Sequence, residues 1–180
     1  MPHSYTNLTH HFAAFDLETT AKSPQSARIV EWAVVVFTPK DITAHSSLVD
    51  PGVPIPAEAS RIHGITDADI VAAPTTKQTL PRLLDLLAAQ PLIVTYNGDE
   101  YDLAVLAAEC RRHGFVMPQL RHIDIYALAA PTSRLPQHRS GARSLATMAA
   151  QHGVPTGRGH RAVDDATATG LLFRRLAEKA

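Results

Sequence analysis

His11-Phe12-Ala13-Ala14-Phe15-Asp16-Leu17-Glu18-Thr19-Thr20 runs from a short apolar and aromatic segment into two carboxylates spaced by one residue. The segment from His11 to Asp16 predicts a strand. Residues two apart on a strand leave the same face, so Asp16 and Glu18 at its end can share a cation. Outward from there, Ile29 to Phe37 is almost continuously apolar and β-branched, interrupted by Glu31, which predicts a second strand buried on both faces. Thr38-Pro39-Lys40-Asp41 supplies turn chemistry, and the next extended piece ends at Val49-Asp50-Pro51-Gly52. These pieces predict an antiparallel opening of three strands.

Helix and strand then alternate. Leu80, Leu83, Leu84 and Leu87 recur at helical spacing, and Leu92 to Thr95 reads as a buried strand. Leu103, Leu106, Ala107 and Cys110 return to helical spacing before Gly114 stops the helix. Ile123 to Tyr126 fits either a strand or the start of a helix. Ser144 to Gln151 and Asp165 to Ala177 read as helices, and Pro131 to Arg143 as an exposed loop. The expected fold is α/β, a mixed sheet of about five strands, three antiparallel and then parallel, flanked by helices. Residues 1–10 read as an N-terminal extension and 11–180 as a single domain.

Composition narrows the class. Apolar residues make up 45% and charged residues 19% of the chain, ordinary for a soluble globular protein. No apolar run approaches the roughly 18 residues that span a bilayer. The start, Met1 to Asn7, lacks a basic region followed by an apolar one, so a cytoplasmic location is expected. The single cysteine, Cys110, reads as core. Net charge is zero, with 17 basic and 17 acidic residues. With Asp16, Glu18, Asp102 and Asp165 committed to metal, 17 basic residues would face 13 acidic ones. A protein that holds a short single-stranded end needs few phosphate contacts.

Two further acidic patches follow the first: Tyr96-Asn97-Gly98-Asp99-Glu100-Tyr101-Asp102 and His160-Arg161-Ala162-Val163-Asp164-Asp165-Ala166. Asp102 falls at a helix start just after a strand. Asp165 shares a helical stripe with Ala168, Thr169, Leu172 and Leu176, which turns it inward. Four inward carboxylates repel one another and raise some of their pKa values unless divalent cations neutralise them. All-oxygen ligands favour Mg²⁺ or Mn²⁺ over zinc. Two such ions suit phosphodiester hydrolysis, and His160, after Gly157-Arg158-Gly159, is placed to act as general base. Each residue also has a plainer reading. Asp16 before Thr can cap or turn, and Asp102 and Asp165 in first helical turns answer the helix dipole. One site explains all five residues together.

In that order the patches resemble the DnaQ-like 3′ to 5′ exonucleases of the DEDDh subgroup, over about Phe12 to Leu176. The supporting pieces are Phe15 to Thr20, Ile29-Val30-Glu31, Ile62-His63-Gly64-Ile65-Thr66, Asn97 with Asp102, Asp124, Ser144-Leu145, and His160, Ala162, Asp165 and Ala166. The resemblance implies a ribonuclease H-like fold, with Asp16, Glu18, Asp102 and Asp165 holding two Mg²⁺ or Mn²⁺ ions and His160 as base. It also implies Leu17, Thr19, Thr20, His63, Asn97 and Tyr101 as substrate-binding candidates. Tyr96, Gly98 and Tyr101 depart from the common histidine, alanine and phenylalanine and bear on the nucleotide pocket.

For His63 the favoured reading is structural support, since Thr66 with Asp69 makes a helix-capping pattern. Arg134, His138, Arg139 and Arg143 are candidates for backbone phosphate, or a solvated loop. Asp99, Glu100 and Asp164 read as surface charges, Trp32 as packing and Glu31 as support behind the site. The expected partner is a single-stranded 3′ end, DNA ahead of RNA. The alternatives are a proofreading or accessory subunit acting through a polymerase, and an RNA-processing exoribonuclease.

Overall fold

Strand β1 (Phe12–Thr19) forms the middle of a five-stranded sheet in the order β3-β2-β1-β4-β5. In the computed structural model, which describes residues 10–136 and 140–178, β2 (Ile29–Phe37) runs antiparallel to β1 and β3 (Ile42–Leu48) antiparallel to β2. Strands β4 (Ile93–Thr95) and β5 (His122–Asp124) add in parallel on the other side. This is the expected ribonuclease H-like arrangement. Its parallel strands β1, β4 and β5 all end on one edge of the sheet, where the next segments of chain emerge.

Side-chain alternation along β1 decides what each face carries. Phe12 and Ala14 point into a cluster with Ala33, Val35, Phe37, Met148, Leu172 and Phe173, under α5 (Leu145–Gln151) and α6 (Ala162–Ala177). Asp16 and Glu18 continue that face. Ala13, Phe15 and Leu17 point the other way, into Trp32, Val34, Leu80, Leu83, Leu106 and Cys110, under α2 (Thr76–Ala88) and α3 (Asp102–His113). β2 is buried on both faces, as its continuous apolar run requires. Trp32 is fully buried and its indole N–H donates to Thr79 Oγ1 at 2.9 Å, so packing accounts for it.

Helix α6 lies unusually close to the sheet. A Cβ on Gly170 would fall 2.1 Å from the Phe37 ring, which itself stacks on Phe12 at 4.8 Å. Only glycine lets the helix axis approach that near, and this approach carries the helix's first turn to the β1 carboxylates.

Four features differ from expectation. β1 continues to Thr19, with a register shift after Glu18, so both carboxylates stand within the strand. Ile123 to Tyr126 divides: β5 ends at Asp124 and α4 (Tyr126–Ala129) follows. Helix α6 opens at Ala162, three residues before the expected start at Asp165, which stays within its first turn. A helix that the sequence did not announce, α1 (Ala57–His63), is followed by a 3-10 turn at Asp67–Ile70. Thr66 and Asp69 form the capping box of that turn.

Candidate active site

Three elements meet at the C-terminal end of β1. β1 supplies Asp16 and Glu18, α6 supplies Asp165, and one oxygen from each comes within 4.8 Å of the others. Asp102 reaches in from the start of α3, where its Oδ1 accepts the Leu17 backbone N–H at 3.0 Å. That bond ties the head of α3 to β1 between the two strand carboxylates. Asp165 Oδ2 accepts the backbone N–H of His160 at 2.8 Å. The histidine itself is exposed and sits in the left-handed region at φ 54°.

The electrostatics follow from this crowding. Desolvation, then the charges of Asp102, Glu18, Asp165 and Glu31, hold Asp16 well above the usual carboxylate range. Burial, then Asp165, Glu31 and Asp102, push Glu18 up to about 8, with Arg161 pulling the other way. Asp102 rises to about 7, mainly by burial, against the Leu17 N–H that favours its charged form. Burial raises Asp165 too, opposed by the His160 N–H and ring. Four carboxylates that resist ionising side by side are a site short of positive charge. Their all-oxygen donor set fits hard divalent cations such as Mg²⁺ or Mn²⁺.

A profile of the exonuclease family matches residues 13–173. The chain belongs to this exonuclease family. The domain is 32% identical over 169 residues to the DNA polymerase III subunit epsilon of Treponema pallidum, covering 90% of this chain and 74% of that one. It is 28% identical over 177 residues to the PolC-type DNA polymerase III of Caldanaerobacter subterraneus subsp. tengcongensis, covering 98% of this chain but only 12% of that one. Among solved structures it resembles E. coli exonuclease I in complex with a dA16 oligonucleotide. There the TM-score is 0.80 at 18% identity, over 94% of this chain and 41% of that one. That likeness concerns the fold.

Within the exonuclease domain the remaining candidates separate. Leu17, Thr19, Thr20, His63 and Tyr101 line one cavity of about 490 Å³ beside Glu18, between β1, α1 and α3. Tyr101 hydroxyl bonds both Thr19 Oγ1 and the Ala21 carbonyl, fixing one wall. Thr20 Oγ1 accepts the Arg28 N–H at 3.0 Å, a structural duty. His63 is buried and its Nδ1 accepts the Ile65 N–H at 3.0 Å, which fits structural support. Burial lowers its pKa, so the neutral ring carries its proton on Nε2, which has no hydrogen-bond partner of good geometry. Asn97 stands apart, lining a second cavity. His138 and Arg139 lie outside the described residues, and Arg134 is exposed.

One reading is corrected and a second refined. Asp164 is not a free surface charge: its carboxylate accepts the Arg158 N–H at 2.9 Å and packs where a Cβ on Gly157 would fall, 2.5 Å away. It therefore holds the loop that presents His160. Asp99, though largely exposed, pairs with His122 at 2.9 Å. Sequence reasoning also passed over Arg161. Its Nε and Nη2 bond the two oxygens of buried Glu31 at 3.1 and 2.6 Å, and Glu31 takes the Ala162 N–H at 3.0 Å as well. β2 thus clamps the head of α6, and Asp165 with it. A lone acid in an apolar strand was the available signal, because a buried carboxylate requires a partner.

Proposed function

We propose that this domain is a metal-dependent 3′ to 5′ exonuclease that hydrolyses phosphodiester bonds at single-stranded 3′ ends, DNA ahead of RNA, releasing nucleoside 5′-monophosphates. The reading rests on one observation: four desolvated carboxylates from β1, α3 and α6 converge beside a histidine loop and a nucleotide-sized cavity. Asp16, Glu18, Asp102 and Asp165 would hold two Mg²⁺ or Mn²⁺ ions. Such ions, when bound, would polarise the scissile phosphate and stabilise the attacking and leaving oxygens. His160 would take the proton of the attacking water at its exposed ring. The cavity lined by Leu17, Thr19, Thr20, His63 and Tyr101 would seat the terminal nucleotide and exclude water around it. Residues 11–180 are read as one exonuclease domain behind a short extension, in line with the matched span of 13–173. A cytoplasmic location belongs to the same reading.

The test is digestion of matched 5′-labelled DNA and RNA oligonucleotides with Mg²⁺, with Mn²⁺ and with chelator. Laddering from the 3′ end, abolished by chelation and by Asp16→Ala in a folded protein, is expected. An Asp16→Ala variant as active as the parent would refute the site. The names of the epsilon and PolC-type relatives favour a second reading, a proofreading subunit acting through a polymerase. Co-purification with a polymerase would put that reading first.

A further inference from the structure

We propose that the cavity around Tyr96, Tyr126 and Arg143 is a second nucleotide subsite, which holds a base and phosphate of the strand beyond the nucleotide that flanks the scissile bond on its upstream side. This rests on the nuclease reading above and adds where the rest of the strand lies. The cavity measures about 500 Å³. Its walls come from the segment after β4 (Tyr96, Asn97), the first residue of α4 (Tyr126) and the approach to α5 (Arg143, Ser144). β1, β4 and β5 are parallel, so this cavity opens on the same sheet edge as the carboxylates, but on the far side from the Leu17–Tyr101 cavity. Strands lie about 4.8 Å apart, which places it on the order of 10 Å from the β1 acids, within reach of one short strand.

Its chemistry is that of a single-strand binder. Tyr96 and Tyr126 meet edge to face at 5.6 Å, an aromatic wall on which a base can rest. The Tyr96 hydroxyl donates to the Arg143 carbonyl at 2.5 Å, so its polar end is already satisfied. Arg143 is different. Its side chain is half-buried and its Nε is buried without a hydrogen-bond partner among the described residues. Arg143 also lines the cavity, and its guanidinium is a planar fork of charged donors for which a phosphate oxygen is the fitting acceptor. Exposed Asn97 offers donor and acceptor for a base edge from a left-handed backbone at φ 60°. That backbone is fixed in advance: Asp124 accepts the N–H groups of Asn97 at 2.8 Å and Asp99 at 3.1 Å. The head of α5 is not the attraction, because Ser144 already caps it through the Thr147 N–H at 3.2 Å.

The experiment compares Arg143→Ala and Arg143→Lys with the parent, using 5′-labelled dT2 and dT10. Turnover is read in Mg²⁺, and binding of fluorescent dT10 is read by anisotropy in Ca²⁺. In Arg143→Ala, the KM for dT10 should rise about fivefold or more beyond any change for dT2. Its dT10 affinity should fall in step, with a salt slope shallower by about 0.7, and lysine should restore part of the affinity. Equal effects on dT2 and dT10, or dT10 affinity and salt slope unchanged in Arg143→Ala, would overturn the subsite. A parent that binds dT10 through Arg143 yet never cuts it would keep the subsite and refute the nuclease reading instead.

Discussion

At Gly98 an added methyl group would meet Thr95 Cβ at 2.6 Å and Asp102 Oδ2 at 3.0 Å. Thr95 is fully buried in β4, so in this chain a methyl group at 98 has room only if Thr95 or Asp102 shifts. Gly98→Ala should cost about 1–3 kcal/mol in overpacking and displace Asp102. We expect kcat to fall far more than the melting temperature, and steady-state kinetics beside a thermal melt would reveal it. His160→Ala should lower kcat by about 10² to 10⁴ while leaving the metal sites formed; an unchanged rate would reject it as the base. The raised carboxyls predict an unusual pH response. In chelator, folded Glu18 and Asp102 keep protons up to about 8 and 7, where the unfolded chain has already lost them. The stability they contribute is complete below about pH 4 and is lost as pH climbs through 7 to 8. Melting in EDTA should therefore occur at lower temperature at pH 8.5 than at pH 5. Added Mn²⁺ should reverse the slope, since cations then replace the protons. A flat profile in EDTA would mean the carboxylates are solvated. The acids themselves were legible in the sequence because each sits near the end of a strand or at the start of a helix. Gly98 was legible only as a departure from relatives, since its reason is a contact with a side chain from the preceding strand.

Helix α6 is held at two points, and each makes a separate prediction. At mid-helix, Gly170→Ala would push a methyl group against Phe37, costing about 1–3 kcal/mol and moving the helix outward. At the head, Arg161→Ala leaves buried Glu31 without its bidentate partner. Arg161 is 38% exposed and Glu31 5%, so the cost should lie between the roughly 1 kcal/mol of a surface pair and the roughly 3–5 of a buried one. Because Asp165 rides on this turn, Mn²⁺ affinity should weaken in the same variant. Unchanged affinity would confine the clamp to stability. Long elements were readable by their periods, β2 above all. Helix α1 was not, because it spans only Ala57–His63 behind Pro54 and Pro56, too few residues to show a period and flanked by loop-like prolines. The clamp joins residues 130 apart in sequence, and no local pattern reports such a distance.

Across the whole molecule, the three antiparallel strands build a wall and the parallel half builds the working edge. The spacing of apolar residues foretold this topology, since helix and strand alternate after residue 76 as βα units must. The two cavities were not foreseen as such. The one holding Arg143 draws on three separate segments, and its residues acquire meaning only when the strands align. No helix among the described residues is long and apolar enough to cross a membrane. Every variant above needs proof that it still folds, and the chain contains its own reporter. Cys110 is its only thiol, 1% exposed between α3 and the sheet, and burial further suppresses its thiolate. A sulfhydryl reagent can reach it only when the packing opens, so its labelling rate measures the free energy of that opening. A substitution that abolishes turnover while Cys110 reacts as slowly as in the parent has removed chemistry and spared the fold.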